Sequence, residues 1–390
     1  MNADSKIDDF LESSKFDAFL IFDDSASNEN LFYLTSFKAS DSFLYFFAKG
    51  ESTVVVPQLE YSRAEEEAEV DNIYSSSKYV SGESRDNESK RIETIRKALE
   101  DKGINRVAVP GEFPLKLADD LESEGIEVEP AEQNPVMEAR KRKDSGELEK
   151  LREVQELTEE AMKRTREIIG NAEVRDGVLY RDGEILTSER VKKKIKLFML
   201  ENNCEVPENT IVASGAESAK PHSRGSGPIE AGEPIIVDIF PRHDNNYFGD
   251  MTRTFVKGEV PSEVQEMKQS VDEALEAAFE VLERGAGVKA KEVHARVCDV
   301  LEKHGYETLR NNEEAESGFL HSTGHAVGLE LHESPRVAGN KDELEEGMVL
   351  TIEPGLYIPE IGGLRLEDMI VVEEDGFENF NSMSREIKLD

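Results

Sequence analysis

Apolar and polar positions divide the chain into two parts with different patterns. In residues 1–135, short apolar runs typical of buried strands alternate with stretches of helical spacing. The predicted strands are residues 18–22, 43–47, 53–56 and 106–109, and the predicted helices are residues 59–69 and 89–102. The alternation predicts an α/β domain, and we find no cluster of chemically active side chains in it.

The remainder of the chain combines long amphipathic helices with antiparallel hairpins. Apolar residues recur at helical spacing from 148 to 169 and stop at Gly170. Ser188 is predicted to cap a helix ending near Glu201, and Ser262 with Gln265 forms a capping-box pattern for another. The predicted hairpins are residues 235–240 with 247–255, and residues 348–355 with 363–370.

Each arm of these hairpins carries an acidic residue in apolar surroundings: Asp238, Asp250, Glu353 and Glu367. An ionised carboxylate inside an apolar strand is unfavourable unless it is paired or binds a metal. Four such groups in one place would also raise each other's pKa. One divalent cation would leave the group with two excess negative charges, whereas two cations would neutralise it. The pattern therefore favours a dinuclear metal site.

Between the hairpins, residues 321–335 contain three of the seven histidines: His321, His325 and His332. Histidine titrates nearest neutrality and is the commonest metal ligand. A run of structural histidines is the alternative for this segment taken alone, but the flanking acids favour His325 as a nitrogen ligand. His294, on a predicted helix away from any ligand pattern, is interpreted as structural.

The order Asp238, Asp250, His325, Glu353, Glu367 resembles the five-ligand pattern of the pita-bread metallopeptidases. Residues 213–216, 221–223, 321–335, 352–355 and 365–368 are similar to segments of their Xaa-Pro peptidase branch, prolidase and aminopeptidase P. The resemblance covers roughly residues 145–390. It implies a creatinase/prolidase-like α/β N-terminal domain over residues 1–135 and an α+β pita-bread (creatinase/aminopeptidase) catalytic domain over residues 136–390. Phe240 stands where relatives usually have the glycine of Asp-x-Gly, which alters the strand exit and touches no ligand.

The resemblance implies two divalent metal ions per chain, Mn²⁺ or Co²⁺ first, with Zn²⁺ or Fe²⁺ as alternatives. In such a site Asp238 and Glu367 bridge the ions, Asp250 binds one, and His325 and Glu353 bind the other. A hydroxide held between the ions attacks the peptide carbonyl, and Glu353 is also the general base or acid.

Five further residues receive predicted roles around this centre. His222, His321 and His332 match the family's non-ligand histidines, which bind substrate and stabilise the tetrahedral intermediate. Arg365 points the same way as Glu367 along a strand and is predicted to pair with a ligand carboxylate. Arg336 is a candidate for binding the free carboxylate of a dipeptide. The alternative for Arg336 is an ion pair with one of the 84 acidic side chains.

The implied activity is hydrolysis of the Xaa-Pro bond, either in dipeptides or at peptide N-termini. The residues do not distinguish between these two kinds of substrate. The expected partner is a small peptide with proline at the second position, and we expect a homodimer. A metal-free creatinase-like hydrolase and a non-catalytic relative are the alternatives, but both lose several of the five ligands. Methionine aminopeptidases usually lack so large an N-terminal domain.

The composition limits the possible binding partners and the cellular compartment of the protein. The formal net charge is −37 and is spread evenly, with −14 in residues 1–145 and −23 in residues 146–390. Such a charge disfavours nucleic acid and anionic membranes as partners. From this charge we hypothesise that the protein comes from a high-salt cytoplasm. The alternative is that it is an ordinary acidic protein. An acidic N-terminus without an apolar signal segment, and only two distant cysteines, Cys204 and Cys298, favour a cytoplasmic location.

Overall fold

The computed structural model describes residues 3–80 and 87–390, which form two compact units that divide between Arg140 and Lys141. The sequence predicts this division after residue 135. The helix Pro135–Arg140 belongs to the first unit because Val136 packs into that unit's core. In the described part of the chain, no helix combines the length and the apolar character needed to cross a membrane.

The first unit is a mixed six-stranded sheet with helices on both faces. Its helices are α1 (Ala3–Glu12), α2 (Glu29–Thr35), α3 (Tyr61–Glu67), α4 (Asn87–Lys102), α5 (Leu115–Ser123) and α6 (Pro135–Arg140). Its strands are β1 (Ala18–Asp23), β2 (Phe43–Ala48), β3 (Glu51–Val56), β4 (Asn72–Ser75), β5 (Arg106–Val109) and β6 (Glu127–Pro130), in the order β4-β3-β2-β1-β5-β6. Leu44 and Phe46 pack with α4 and α5, whereas Tyr45 and Phe47 pack with α1, α2 and α3. Because both faces are covered, β2 is apolar throughout.

The second unit contains four long helices, α7 (Ser145–Gly170), α8 (Ser188–Glu201), α9 (Ser262–Leu282) and α10 (Ala290–Lys303). Its first strands are β7 (Glu173–Arg175), β8 (Val178–Arg181), β9 (Glu184–Ile185), β10 (Cys204–Glu205), β11 (Ile211–Ser214), β12 (Ile235–Ile239), β13 (Arg242–His243) and β14 (Met251–Lys257). The others are β15 (Gly324–Ala326), β16 (Glu333–Val337), β17 (Val349–Ile352), β18 (Gly355–Ile358), β19 (Gly362–Arg365), β20 (Asp368–Glu373), β21 (Gly376–Asn379) and β22 (Lys388–Leu389).

Each of the two larger sheets in this unit is covered by one pair of helices. Sheet β11-β12-β14-β22 packs against α7 and α8, and sheet β16-β15-β17-β20-β21 packs against α9 and α10. Along β12, Val237 and Ile239 face the helices. Since side chains alternate along a strand, Ile236 and Asp238 point to the opposite face. The helices thus leave one face of each sheet for polar side chains.

Two predicted helix caps differ from the structure. Thr187, not Ser188, caps α8, and its side chain accepts a hydrogen bond from the N–H of Arg190. Helix α9 has Pro261 at its N-cap and begins at Ser262 itself, so the predicted capping box does not form. In both cases the cap lies one residue earlier than predicted, because the chain is already helical at the serine.

Candidate metal centre

Asp238 and Asp250 come from neighbouring strands, as the first hairpin predicts. Asp238 lies in β12 opposite Thr252 of β14, and Asp250 immediately precedes β14. Both residues are buried, with 9% and 4% of their surface exposed. Two carboxylates therefore meet on the sheet face that is turned away from α7 and α8.

Glu353 and Glu367 lie at a break in the second hairpin, which the sequence predicts as one continuous ladder. The pairing of β17 with β20 ends at Ile352 and Asp368, and the pairing of β18 with β19 begins at Gly355 and Arg365. Both glutamates fall between these ladders. The N–H of Glu367 instead donates to the carbonyl of Thr252 in β14 (3.1 Å). The break thereby brings Glu367 to the strand that follows Asp250.

His325 in β15 completes the group. Its Nδ1 lies 3.1 Å from the carbonyl oxygen of Ala326, so this nitrogen carries the proton and donates. The unprotonated Nε2 then faces Asp250 Oδ2 and Glu353 Oε1, each at 3.7 Å. A backbone partner that fixes the tautomer in this way is typical of metal-binding histidines.

Burial raises the pKa of all four carboxyl groups. For Asp250 and Glu367, burial and the neighbouring carboxylates raise the pKa well above its usual value. Burial raises the pKa of Glu353 to about 7. Burial also raises the pKa of Asp238, although the cation of Arg365 opposes this shift. The four groups cannot all be ionised here without further positive charge.

Arg365 is the buried cation beside these acids, and its guanidinium contacts three groups. Nη2 donates to Asp238 Oδ2 (2.6 Å), Nη1 to the hydroxyl of Tyr357 (2.7 Å) and Nε to Thr252 Oγ1 (3.1 Å). The Thr252 hydroxyl in turn donates to Glu367 Oε2 (2.7 Å). One arginine thus orients two of the carboxylates, one directly and one through a threonine.

The donor set fits two divalent cations. The candidate ligand atoms of Asp250, His325 and Glu367 all lie within 4.8 Å of one another. Asp238 Oδ1 is buried and makes no hydrogen bond to any described residue. One arginine cannot neutralise four buried carboxylates, and oxygen-rich sets with one imidazole suit Mn²⁺, Co²⁺, Fe²⁺ or Zn²⁺.

A cavity of about 910 Å³ opens over this group. It is lined by all five candidate ligands and by His222, His321, His332, Arg336 and Arg365, so every residue predicted from the sequence reaches it. His222 and His332 are exposed, and the ring of His332 packs at 4.4 Å, edge to face, on that of His325. The two exposed histidines and Arg336 therefore border the open side of the cavity.

His321 lies deeper than the other two non-ligand histidines. Its Nδ1 is 2.7 Å from the carbonyl oxygen of Ser322 and therefore donates. Its Nε2, 2.9 Å from the Tyr357 oxygen, accepts the hydroxyl proton. Burial, reinforced by the positive charge of Arg365, lowers the pKa of His321 to about 3. His321 is thus a neutral imidazole, linked through Tyr357 and Arg365 to Asp238.

Three residues beside the site are missing from the sequence-based prediction. Tyr357 and Thr252 carry the contacts of Arg365, and Thr252 lies two residues after Asp250, so strand alternation could have indicated it. His294, interpreted from the sequence as structural, lines the cavity, and its Nδ1 lies 2.9 Å from Thr323 Oγ1. Helix α10 brings His294 there from outside the ligand-bearing segments, and the local pattern gave no signal of this.

Two family models match the chain. The model of metallopeptidase family M24 matches residues 149–374, and the model of the creatinase/prolidase N-terminal domain matches residues 5–141. A curated Xaa-Pro dipeptidase from Pyrococcus horikoshii is 31% identical over 387 residues, covering 98% of this chain and 97% of the relative.

Solved structures show the same similarity over both units. The prolidase from Pyrococcus horikoshii OT3 matches with a TM-score of 0.80 at 29% identity, covering 99% of each chain. The X-Pro aminopeptidase from Thermotoga maritima MSB8 matches with a TM-score of 0.80 at 27% identity, covering 97% of this chain and 99% of the other. These similarities confirm the predicted fold, an α/β N-terminal domain followed by a pita-bread domain.

Proposed function

The chain belongs to metallopeptidase family M24, and we propose that it is a two-metal exopeptidase that hydrolyses the bond between an N-terminal residue and proline. The observation that carries the proposal is the convergence of Asp238, Asp250, His325, Glu353 and Glu367 on one buried site. The full-length similarity to an Xaa-Pro dipeptidase supports the substrate class. A metal-free or non-catalytic relative is not favoured, because the four carboxylates would lack compensating charge.

We propose that all five residues are metal ligands. Asp238, Asp250, Glu353 and Glu367 would supply the oxygen donors and His325 Nε2 the one nitrogen donor. When bound, two such cations supply a nucleophilic water of lowered pKa and polarise the scissile carbonyl. The hard, oxygen-rich donors favour Mn²⁺ or Co²⁺ as the native metal.

The remaining side chains would bind substrate and handle protons. Glu353, whose carboxyl group lines the cavity, would accept a proton from the nucleophile and return it to the leaving amine. His222 and His332, exposed in the cavity, would donate to the substrate carbonyl as negative charge develops on its oxygen. Arg365 would hold Asp238 in place, since its guanidinium is fixed by three buried acceptors.

Arg336 supports dipeptides as the substrate. It lies in β16 opposite His325, its side chain is exposed, and it lines the cavity. Within the described residues Arg336 forms no ion pair, and the only acids lining the cavity are the four candidate ligands. Its guanidinium is therefore available to bind a proline carboxylate through two parallel hydrogen bonds.

We further propose a cytoplasmic homodimer from a high-salt cell. The net charge of −37 supports the high-salt environment, because dissolved ions screen the repulsion among surface carboxylates. Both cysteines, Cys204 and Cys298, are buried thiols without a disulfide, as expected in a reducing compartment.

The function is tested with metal analysis and an Xaa-Pro dipeptide assay on the purified full-length protein. We expect two divalent ions per chain, loss of hydrolysis with chelator and recovery with Mn²⁺ or Co²⁺. Glu367→Ala is expected to abolish hydrolysis, whereas the control Glu374→Ala, at an exposed acid, is expected to be fully active. Full activity of a metal-free preparation would refute the proposal.

A further inference from the structure

The backbone of Asp250 is held by a side-chain amide that belongs to helix α7. The Oε1 atom of Gln155 accepts a hydrogen bond from the N–H of Asp250 (2.9 Å), and its Nε2 donates to the Asp250 carbonyl (2.7 Å). Gln155 is completely buried. A single amide group therefore satisfies both backbone groups of one candidate ligand, as a neighbouring strand would.

Asp250 depends on this amide because the sheet ends beside it. The pairing of β12 with β14 stops at Ile239 and Met251, which leaves Asp250 one residue outside the ladder. At Gly249, a Cβ atom would lie 2.3 Å from Thr158 Oγ1 of α7. The absence of a side chain at Gly249 thus lets the chain approach α7 closely enough for Gln155 to reach Asp250.

The same amide extends to the segment that carries Glu367. Gln155 Nε2 also donates to Asn381 Oδ1 (3.1 Å), and that oxygen accepts the N–H of Met369 (2.8 Å), two residues beyond Glu367. Both N–H groups of Gln155 and its carbonyl are then used, so its orientation is fixed. A short relay of two amides connects the backbones beside Asp250 and Glu367.

We propose that Gln155 is a positioning residue of the metal centre, which fixes the carboxylates of Asp250 and Glu367 relative to each other. The inference rests on the proposed metal site. It concerns a residue about eighty positions before the first candidate ligand, and it assigns to the long helix α7 a role beyond covering the sheet. Removing partners that orient metal ligands typically lowers metal affinity about 10–100-fold.

The test is calorimetric titration of the metal-stripped full-length protein with MnCl₂. Gln155→Met keeps a similar length but makes no such hydrogen bonds. The control is Thr165→Val, a buried position of the same helix whose hydroxyl donates to the Ala161 carbonyl. We expect wild type and control to bind two ions, and Gln155→Met to bind at least one of them about 10–100-fold more weakly.

Thermal unfolding in chelator separates positioning from general destabilisation. If Gln155→Met and Thr165→Val lower the unfolding midpoint by the same amount, only Gln155→Met should lose metal affinity. If Gln155→Met does not fold, Gln155→Glu replaces it, since Glu keeps an acceptor for the Asp250 N–H but has at most one donor where the amide has two. The proposal would be overturned if the variant bound two ions with wild-type affinity. It would also be overturned if the wild type bound fewer than two ions. A wild type that binds two ions without cleaving Xaa-Pro would refute the function and leave this inference standing.

Discussion

Arg365 and Asp238 form a buried ion pair with 2.6 Å between Nη2 and Oδ2, and their side chains are 6% and 12% exposed. The two residues are 127 positions apart and lie on different sheets. The pair leaves Asp238 Oδ1 without a hydrogen bond to any described residue. Arg365 therefore offsets part of the negative charge while one carboxylate oxygen stays available for a cation.

Replacing Arg365 with lysine tests this orientation. The substituted side chain keeps the charge but cannot contact Asp238, Tyr357 and Thr252 at once, because an ammonium lacks the planar fork of arginine. We expect kcat for an Xaa-Pro dipeptide to fall about 10–100-fold while two metal ions remain bound. Arg152→Lys, at the partly exposed Arg152–Glu378 pair, is the control and should leave kcat unchanged. An unchanged kcat in Arg365→Lys would contradict the assigned role.

Arg336→Ala tests recognition of the substrate carboxylate. We expect the variant to lose about 2 kcal/mol, roughly thirtyfold, in kcat/KM for Xaa-Pro, because the charged acceptor loses its bidentate partner. The loss should be much smaller for Xaa-Pro-Yaa, in which proline carries no free carboxylate. Arg224→Ala, at another exposed arginine of the cavity lining, serves as the control. Equal losses on the two substrates would remove the carboxylate role from Arg336.

Salt should stabilise this protein. The charge of −37 creates repulsion that is screened over about 10 Å at 0.1 M salt and about 3 Å at 1 M. We expect the midpoint of thermal unfolding to rise by about 5 °C or more between 0.1 M and 2 M KCl, a change of roughly 1–3 kcal/mol. Sorbitol at matched osmolality controls for general solute effects. Highest stability in dilute buffer would exclude the high-salt adaptation.

Glu159 should make part of the stability depend on pH. Burial opposes ionisation of Glu159, but Lys163 and hydrogen bonds from Ser382 and Met383 outweigh it and lower its pKa from 4.5 to about 2. Its folded pKa is thus lower than the unfolded one. The associated stability is present above pH 4.5 and is lost as the pH falls towards 2.

The variant Glu159→Gln isolates this contribution. We expect it to be less stable than wild type by about 2 kcal/mol at pH 7, with the difference shrinking between pH 4.5 and 2. Urea unfolding at a series of pH values measures the difference. Glu160→Gln, at an exposed neighbour paired with Arg164, is the control and should follow wild type. A difference that is constant with pH would show that shape, not charge, accounts for the effect.

Local sequence patterns determined the hairpins and the acids they carry. The two-residue period of a strand is a property of neighbouring residues, so Asp238 could be recognised as an acid on a strand with apolar flanks. The helical period from 148 to 169 likewise predicted helix α7, which spans Ser145–Gly170. The predicted caps of α8 and α9 were each one residue late, because Thr187 caps α8 as a serine would and Pro261 holds the N-cap position of α9 without a side-chain hydrogen bond.

Tertiary structure decided which of these groups share one space. The break between the ladders of β17–β20 and β18–β19 leaves both glutamates unpaired and brings Glu367 to Thr252 of β14, and no local pattern marks that break. Contacts such as Gln155 with Asp250 and His294 with Thr323 join segments brought together only by packing of helices and sheets. The sequence by itself thus determined the chemistry of the candidate donors, because residue type and local periodicity depend only on residues close together in the chain. Their mutual distances and the buried residues that orient them depend on how distant elements pack.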